Sequence, residues 1–224
     1  MDMPLGVRAG SRKGAAQRHL AATEPAFAAL IRRVGPLRLV PDRGREPYQA
    51  LFRAIAHQQV HARAAEAILN RFLALYPERV FPAAADVLAT PEATLRGCGF
   101  SASKVAALRD LSARAEDGTV PSRRAAARLD DEALITRLTT IRGIGRWTVD
   151  MLLIFSLGRP DVLPVDDYGV REGWRLINGL ATQPRPRELA ERGRAWSPFR
   201  SAAAWYLWRA ADEAKAIRPP PVTV

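Results

Sequence analysis

The chain has 224 residues, 48% of them hydrophobic, and carries 34 Lys+Arg against 23 Asp+Glu, a formal charge of +11. That length can bury a core as one domain or two closely packed lobes, and the basic excess favours an anionic partner such as nucleic acid. A single cysteine, Cys98, excludes an intramolecular disulfide, a cysteine-based zinc site and an iron–sulfur cluster held by cysteine thiolates.

The charge has a second reading. Only Lys13, Lys104 and Lys215 are lysines, and the bias toward arginine and alanine also fits a GC-rich coding sequence. A reducing cytoplasm suits the lone cysteine, and no segment has the apolar run of a signal peptide or a membrane span. Residues 1–22, with Arg8, Arg12, Lys13 and Arg18, read as a basic flexible tail.

Helical periodicity is common and strand-like alternation scarce, so an all-α chain is expected. A first short helix spans 25–34 and ends at Gly35-Pro36; residues 37–46 form an irregular connection. Pro47 opens a helix over 47–57, and another over about 62–75 stops before Pro77. Short proline-initiated helices follow over 82–89 and 91–96, then a break at Gly97-Cys98-Gly99. Ser101 caps a longer helix to about residue 116, and Asp130 or Asp131 caps one over 132–138. Residues 147–157 are apolar nearly all round and should be buried centrally. Helices over 167–178 and 198–214 follow, and Pro219-Pro220-Pro221 ends an extended tail over 215–224.

Ile141-Arg142-Gly143-Ile144-Gly145 between two helical segments is the pattern of a helix-hairpin-helix, about 132–157. Glycines without Cβ let backbone N–H groups approach a phosphate beside the positive end of the next helix. Such a contact positions nucleic acid without reading bases. Arg142, Gly143, Gly145, Arg146 and Thr148 are the candidate phosphate-binding residues. The carbonyls of Thr139, Ile141 and Gly143 could hold a monovalent cation, Na+ or K+. A structural turn is the plain alternative for a Gly-x-Gly. The carboxylates Asp166 and Asp167 downstream give the motif its chemical interest.

Residues 138–173 resemble the helix-hairpin-helix (HhH-GPD) DNA glycosylase superfamily. Gly-Ile-Gly-Arg-Trp-Thr (143–148) and Leu-Pro-Val-Asp-Asp-Tyr (163–168) are similar to its 3-methyladenine DNA glycosylase II (AlkA-type) branch. Similarity extends to Pro47-Tyr48-Gln49-Ala50-Leu51, to Ala56-His57-Gln58-Gln59-Val60 and to Trp196-Ser197-Pro198-Phe199-Arg200-Ser201, covering about 24–214 in consistent order. The resemblance implies a two-lobed glycosylase domain over 23–214. One lobe spans about 47–160, the other combines 23–46 with 161–214, and the DNA cleft and lesion pocket lie at their junction. The extra N-terminal β domain of longer relatives is not expected.

By the resemblance, Asp167 is the catalytic carboxylate, placed before a helix whose dipole favours negative charge. It would stabilise an oxocarbenium-like sugar and orient water after the damaged nucleotide is flipped out. An N3- or N7-alkylated purine is already cationic and needs no general acid, so one carboxylate suffices. A simple helix cap is the alternative for Asp167, and a cap or hairpin brace is the favoured reading of Asp166. Trp147 stands where bifunctional relatives carry a Schiff-base lysine, which implies a monofunctional enzyme without lyase activity. Trp147, Tyr168 and Trp208 are the candidate lesion-pocket aromatics, each good contact to a cationic base being worth roughly 0.5–2 kcal/mol. Ordinary core packing is the rival for both Trp147 and Trp208.

Gln59, with Gln58, matches the wedge that fills the gap left by an extruded base, where AlkA-type relatives often carry an apolar residue; a buried or capping glutamine is the competing reading. His57 and His61 have metal-pair spacing without further ligands. Arg142 departs from a hairpin position where proline is common. The expected protein is a monomeric, cytoplasmic enzyme acting on double-stranded DNA that contains alkylated bases, 3-methyladenine foremost and 7-methylguanine next. It needs no cofactor, no Fe–S cluster and no membrane. Two other classes remain open at this point: a non-catalytic DNA-binding module, which leaves Asp167 idle, and a glycosylase/lyase for oxidised bases, which the missing lysine and cysteine cluster oppose.

Overall fold

The structure, a computed structural model, describes residues 5–217. Among these residues every regular element is helical and there is no strand. Two compact units divide the chain, one formed by Pro41–Gly158 and the other by the stretches on either side of it. The boundaries fall at 41 and 158 rather than at 47 and 160 because the irregular connection is stitched to the central unit. Asp42 N donates to Phe155 O at 2.7 Å, and the Arg123 guanidinium donates to the carbonyls of Asp42 and Arg45.

The flanking unit contains α1 (Leu5–Thr23), α2 (Pro25–Val34), α11 (Tyr168–Ile177), α12 (Pro186–Gly193) and α13 (Arg200–Ile217). The tail expected over 1–22 is thus a helix from Leu5 onward, and residues 1–4 lie outside the described residues. Ala16 and Leu20 are buried in the core, and His19 Nε2 bonds the Ala195 carbonyl at 3.0 Å. So short an apolar stripe, half of it alanine, gives too little periodicity to read from sequence. At the other end, the tail expected from 215 begins as the last turn of α13, and residues 218–224 lie outside the described residues.

Phe27, Trp174 and Trp196 form the aromatic centre of this unit, with ring centroids 4.9–6.1 Å apart. Helix α11 buries Val170, Gly173 and Trp174 at helical spacing against α13. Gly173 makes that approach possible: a Cβ there would lie 2.0 Å from the Leu207 carbonyl oxygen. Asp161 fastens the N-terminal end of α13, accepting from Arg200 Nε at 2.7 Å, Arg200 Nη2 at 3.0 Å and Ser197 Oγ at 2.7 Å.

The central unit contains α3 (Pro47–His57), α4 (Ala62–Leu73), α5 (Ala84–Ala89), α6 (Glu92–Gly97), α7 (Ala102–Glu116), α8 (Arg123–Ala126), α9 (Asp131–Leu138) and α10 (Arg146–Leu152). Phe52 stacks on Phe72 at 4.7 Å, with Phe81 and Phe100 edge-on around the pair. Asp130, not Asp131, caps α9, accepting from Ala133 N at 2.7 Å. The apolar stretch expected as one helix is α10 followed by a π-helical turn, Leu153–Leu157. Trp147 and Phe155 leave its core, being 48% and 38% exposed.

Candidate active site

The hairpin between α9 and α10 is a tight turn in which Ile144 N donates to Ile141 O at 3.1 Å. Gly143 has φ +78°, a conformation that costs an L side chain steric energy. A Cβ there would also lie 3.2 Å from the Ala107 Cβ on α7, so the turn rests directly on that helix. From the same helix, Asp110 Oδ2 accepts the Arg142 backbone N–H at 2.7 Å. Opposite it, Gln58 Nε2 donates to the Gly143 carbonyl at 2.9 Å. Two side chains remote in sequence therefore grip adjacent residues of the turn.

These bonds redistribute the roles expected from sequence. Gly143 and Gly145 are exposed, and their amides donate to no group among the described residues. The Arg142 amide is committed to Asp110, while its side chain is exposed. Arg146 Nη1 donates to Glu132 Oε2 at 3.1 Å, so its charge is shared with a carboxylate on α9. Thr148 sits on the inner face of α10, 5% exposed, and its amide donates to Gly145 O. Of the three carbonyls with cation-binding potential, Ile141 O and Gly143 O already accept one hydrogen bond each, and a carbonyl has a second lone pair.

Gln58, one of the two wedge candidates, braces the hairpin. Gln59 is exposed, with φ +57°, and is the non-glycine residue with positive φ among those described. Backbone strain of this kind costs about 1–3 kcal/mol and is held by the surrounding structure, here by α3 ending at His57 and α4 beginning at Ala62. His57 Nε2 pairs with Glu66 at 3.1 Å, and no metal-holding cluster of His, Cys, Asp and Glu exists among the described residues.

Asp167 belongs to the other unit. It is the N-cap of α11, its Oδ1 accepting from Val170 N at 2.8 Å. The same Oδ1 accepts from Trp208 Nε1 on α13, also at 2.8 Å. The carboxylate thus caps α11, and a second donor on the same oxygen holds its plane. Gly169 leaves the space for this arrangement, since a Cβ there would lie 2.8 Å from Trp208 Cδ1 and 3.2 Å from Asp167 Oδ1. Tyr168 follows at the first position of α11, 63% exposed. Trp208 is half-buried against the core of its unit and donates its indole N–H to Asp167. Trp147 lies in the central unit, in the first turn of α10.

A family model described as "HhH-GPD superfamily base excision DNA repair protein" matches residues 52–198, from α3 through the hairpin and Asp167. The chain belongs to the HhH-GPD superfamily. DNA-3-methyladenine glycosylase 1 of Schizosaccharomyces pombe is 42% identical over 210 residues, which span 91% of each chain. A solved structure of the Schizosaccharomyces pombe 3-methyladenine DNA glycosylase in complex with abasic DNA superposes with a TM-score of 0.77 at 41% identity. It covers 87% of this chain and 95% of that one. A DNA-3-methyladenine glycosidase from Bacillus halodurans gives a TM-score of 0.81 at 28% identity, over 90% and 91% of the two chains. The HhH-GPD match ends before α13, so Trp208 lies beyond the matched stretch.

Asp110, Ala107 and Trp208's bond to Asp167 were not found by sequence reasoning as parts of the site. Asp110 carries no local signal, being one more acid on the partly exposed side of α7. The Gly-x-x-x-Gly spacing of Gly169 and Gly173 was the available sign that another helix would press on α11.

Proposed function

We propose that this HhH-GPD protein is a monofunctional DNA glycosylase that hydrolyses the N-glycosidic bond of alkylated bases in duplex DNA, 3-methyladenine and 7-methylguanine among them. The bond from Trp208 to Asp167 carries the reading. A carboxylate needed only as a cap would be served by Val170 N; a buried-edge indole donor on the same oxygen holds its plane for a second task. With the damaged nucleotide flipped out of the stack, that carboxylate faces the developing positive charge of the sugar and orients the attacking water. The cationic base departs without a general acid. The aromatic faces of Trp147, Tyr168 and Trp208 favour such a base over a neutral one.

The hairpin takes a phosphate through the Gly143 and Gly145 amides, and Arg142 adds a charge-assisted contact. A Na+ or K+ ion held by the carbonyls of Thr139, Ile141 and Gly143 would add positive charge near that phosphate. Gln59 enters the stack in place of the extruded base. The AlkA-type resemblance and the relatives' names support the lesion class. Trp147 in place of an amine supports hydrolysis without strand cleavage.

The test is single-turnover release of base from a duplex carrying one 7-methylguanine or 3-methyladenine, for wild type and Asp167→Asn. The substituted amide oxygen can still accept from Val170 and Trp208, so the fold and DNA affinity should persist while the excision rate falls at least ~10²-fold. Strands should break only after alkali. A borohydride-trapped covalent complex would refute the monofunctional reading, and no excision of either base would refute the substrate class.

A further inference from the structure

The hairpin presents a contradiction in charge. A turn that receives a phosphate should keep carboxylates away, because like charges within a few ångströms repel. Yet Asp110 Oδ2 lies 2.7 Å from the Arg142 backbone nitrogen, one residue before Gly143. Its side chain is 32% exposed, and its nearest cation, Arg114 Nε, is 3.8 Å away and itself 43% exposed. Such a pair neutralises little in water. The carboxylate therefore costs phosphate affinity unless it returns something in geometry.

What it returns is visible in the turn. The Arg142 N–H is held by Asp110 from the α7 side, and the Gly143 C=O is held by Gln58 from the loop after α3. Ala107 meets the turn from below, small enough to let Gly143 descend onto α7. With one N–H and one C=O pinned, the exposed Gly143 and Gly145 amides keep their donors uncommitted among the described residues. The residue after Gln58 is Gln59, whose φ is +57°. The same clamp thus joins the hairpin to the strained residue of the neighbouring loop.

We propose that Asp110 and Gln58 are positioning residues that clamp the hairpin in its phosphate-binding shape, so that the protein accepts an unfavourable charge beside DNA to keep the turn rigid. The DNA half of this inference rests on the function proposed above. Electrostatics alone and positioning predict opposite signs for Asp110→Ala. Removal of a negative charge should tighten binding to undamaged duplex, whereas loss of the clamp should weaken it.

The experiment compares wild type, Asp110→Ala, Asp110→Asn and Gln58→Leu. It measures the Kd for an undamaged duplex and, without DNA, amide hydrogen exchange over residues 139–146. Asp110→Ala should raise the Kd about tenfold and speed exchange in the turn, the scale of one charge-assisted hydrogen bond. Asp110→Asn keeps an acceptor and loses the charge, so it should bind at least as tightly as wild type with slow exchange. Gln58→Leu, at a partly exposed position, should weaken binding and speed exchange in the same sense. It decides the matter alone if Asp110→Ala does not fold. Tighter or unchanged binding by Asp110→Ala would overturn the proposal, as would unchanged exchange in a variant that folds. If wild type binds no duplex at all, the functional reading fails, and hydrogen exchange still judges the clamp.

Discussion

Trp208 Nε1 and Val170 N both donate to Oδ1 of Asp167, each at 2.8 Å, although the indole stands 41 residues beyond the carboxylate. A helix cap and an aromatic side chain thus share one oxygen, and the carboxylate cannot rotate without breaking one of the two bonds. Removal of the indole donor while an aromatic ring remains separates positioning from packing. Trp208→Phe should lower the single-turnover excision rate about tenfold or more, with little change in duplex affinity, since a hydrogen bond to a charged group is worth roughly 1.5–3 kcal/mol. An unaltered rate would mean that the Trp208 bond does not orient Asp167.

The two glycines of α11 should respond differently. At Gly173 an added Cβ would meet backbone, the Leu207 carbonyl, and backbone cannot step aside. Gly173→Ala should destabilise the protein by about 1–3 kcal/mol in a denaturant titration. At Gly169 the obstacle is the Trp208 ring and Asp167 Oδ1. Gly169→Ala should therefore reduce excision by a larger factor than its loss of stability explains. Equal losses in both properties for both variants would count against this division.

Gln59 offers a trade between stability and activity. Its φ of +57° is a conformation that glycine adopts freely. Gln59→Gly should leave the unfolding free energy unchanged or raise it by up to about 1 kcal/mol, while slowing excision from duplex by about tenfold, as the proposed wedge role requires. Excision from a single-stranded oligonucleotide, which has no partner strand to leave, should change by less than about twofold. A duplex rate equal to wild type would remove Gln59 from the extrusion step.

Acid should loosen the flanking unit at its Asp161 fastening. Burial alone would push the Asp161 carboxyl up, but hydrogen bonds from Arg200 and Ser197, with the Arg200 charge, outweigh it and hold the group below its ordinary value. A carboxyl depressed in the folded state contributes stability above its unfolded pKa and loses it as pH falls through the folded value. Asp161→Asn should therefore be less stable than wild type near neutrality, and the gap should close below about pH 4. Thermal unfolding between pH 2.5 and 7 measures this; a constant gap would place the loss elsewhere.

The parts of the site legible in the sequence are those whose cause is local. Asp167 before an amphipathic helix declares a cap, and Gly143-Ile144-Gly145 declares a turn, each within a few residues of its effect. What escaped is made by contacts across long separations: Asp110 with Arg142, Gln58 with Gly143, Trp208 with Asp167. None of these pairs has a spacing that the chain's periodicity could announce. α1 and α12 escaped for a different reason. The first buries a stripe half alanine, and the second lies in Pro- and Arg-rich sequence where only Leu189 and Gly193 turn inward.

The discontinuity of the flanking unit sets an order of events during synthesis. The central unit is contiguous, Pro41–Gly158, and can condense while the ribosome is still at work. α1 and α2 emerge before it but must wait, with Phe27 uncovered, until Trp174 and Trp196 arrive. Trp208 comes later still, so Asp167 acquires its second donor only as the last helix docks. A nascent chain interrupted before α13 would carry a finished hairpin and an Asp167 carboxylate without its indole donor.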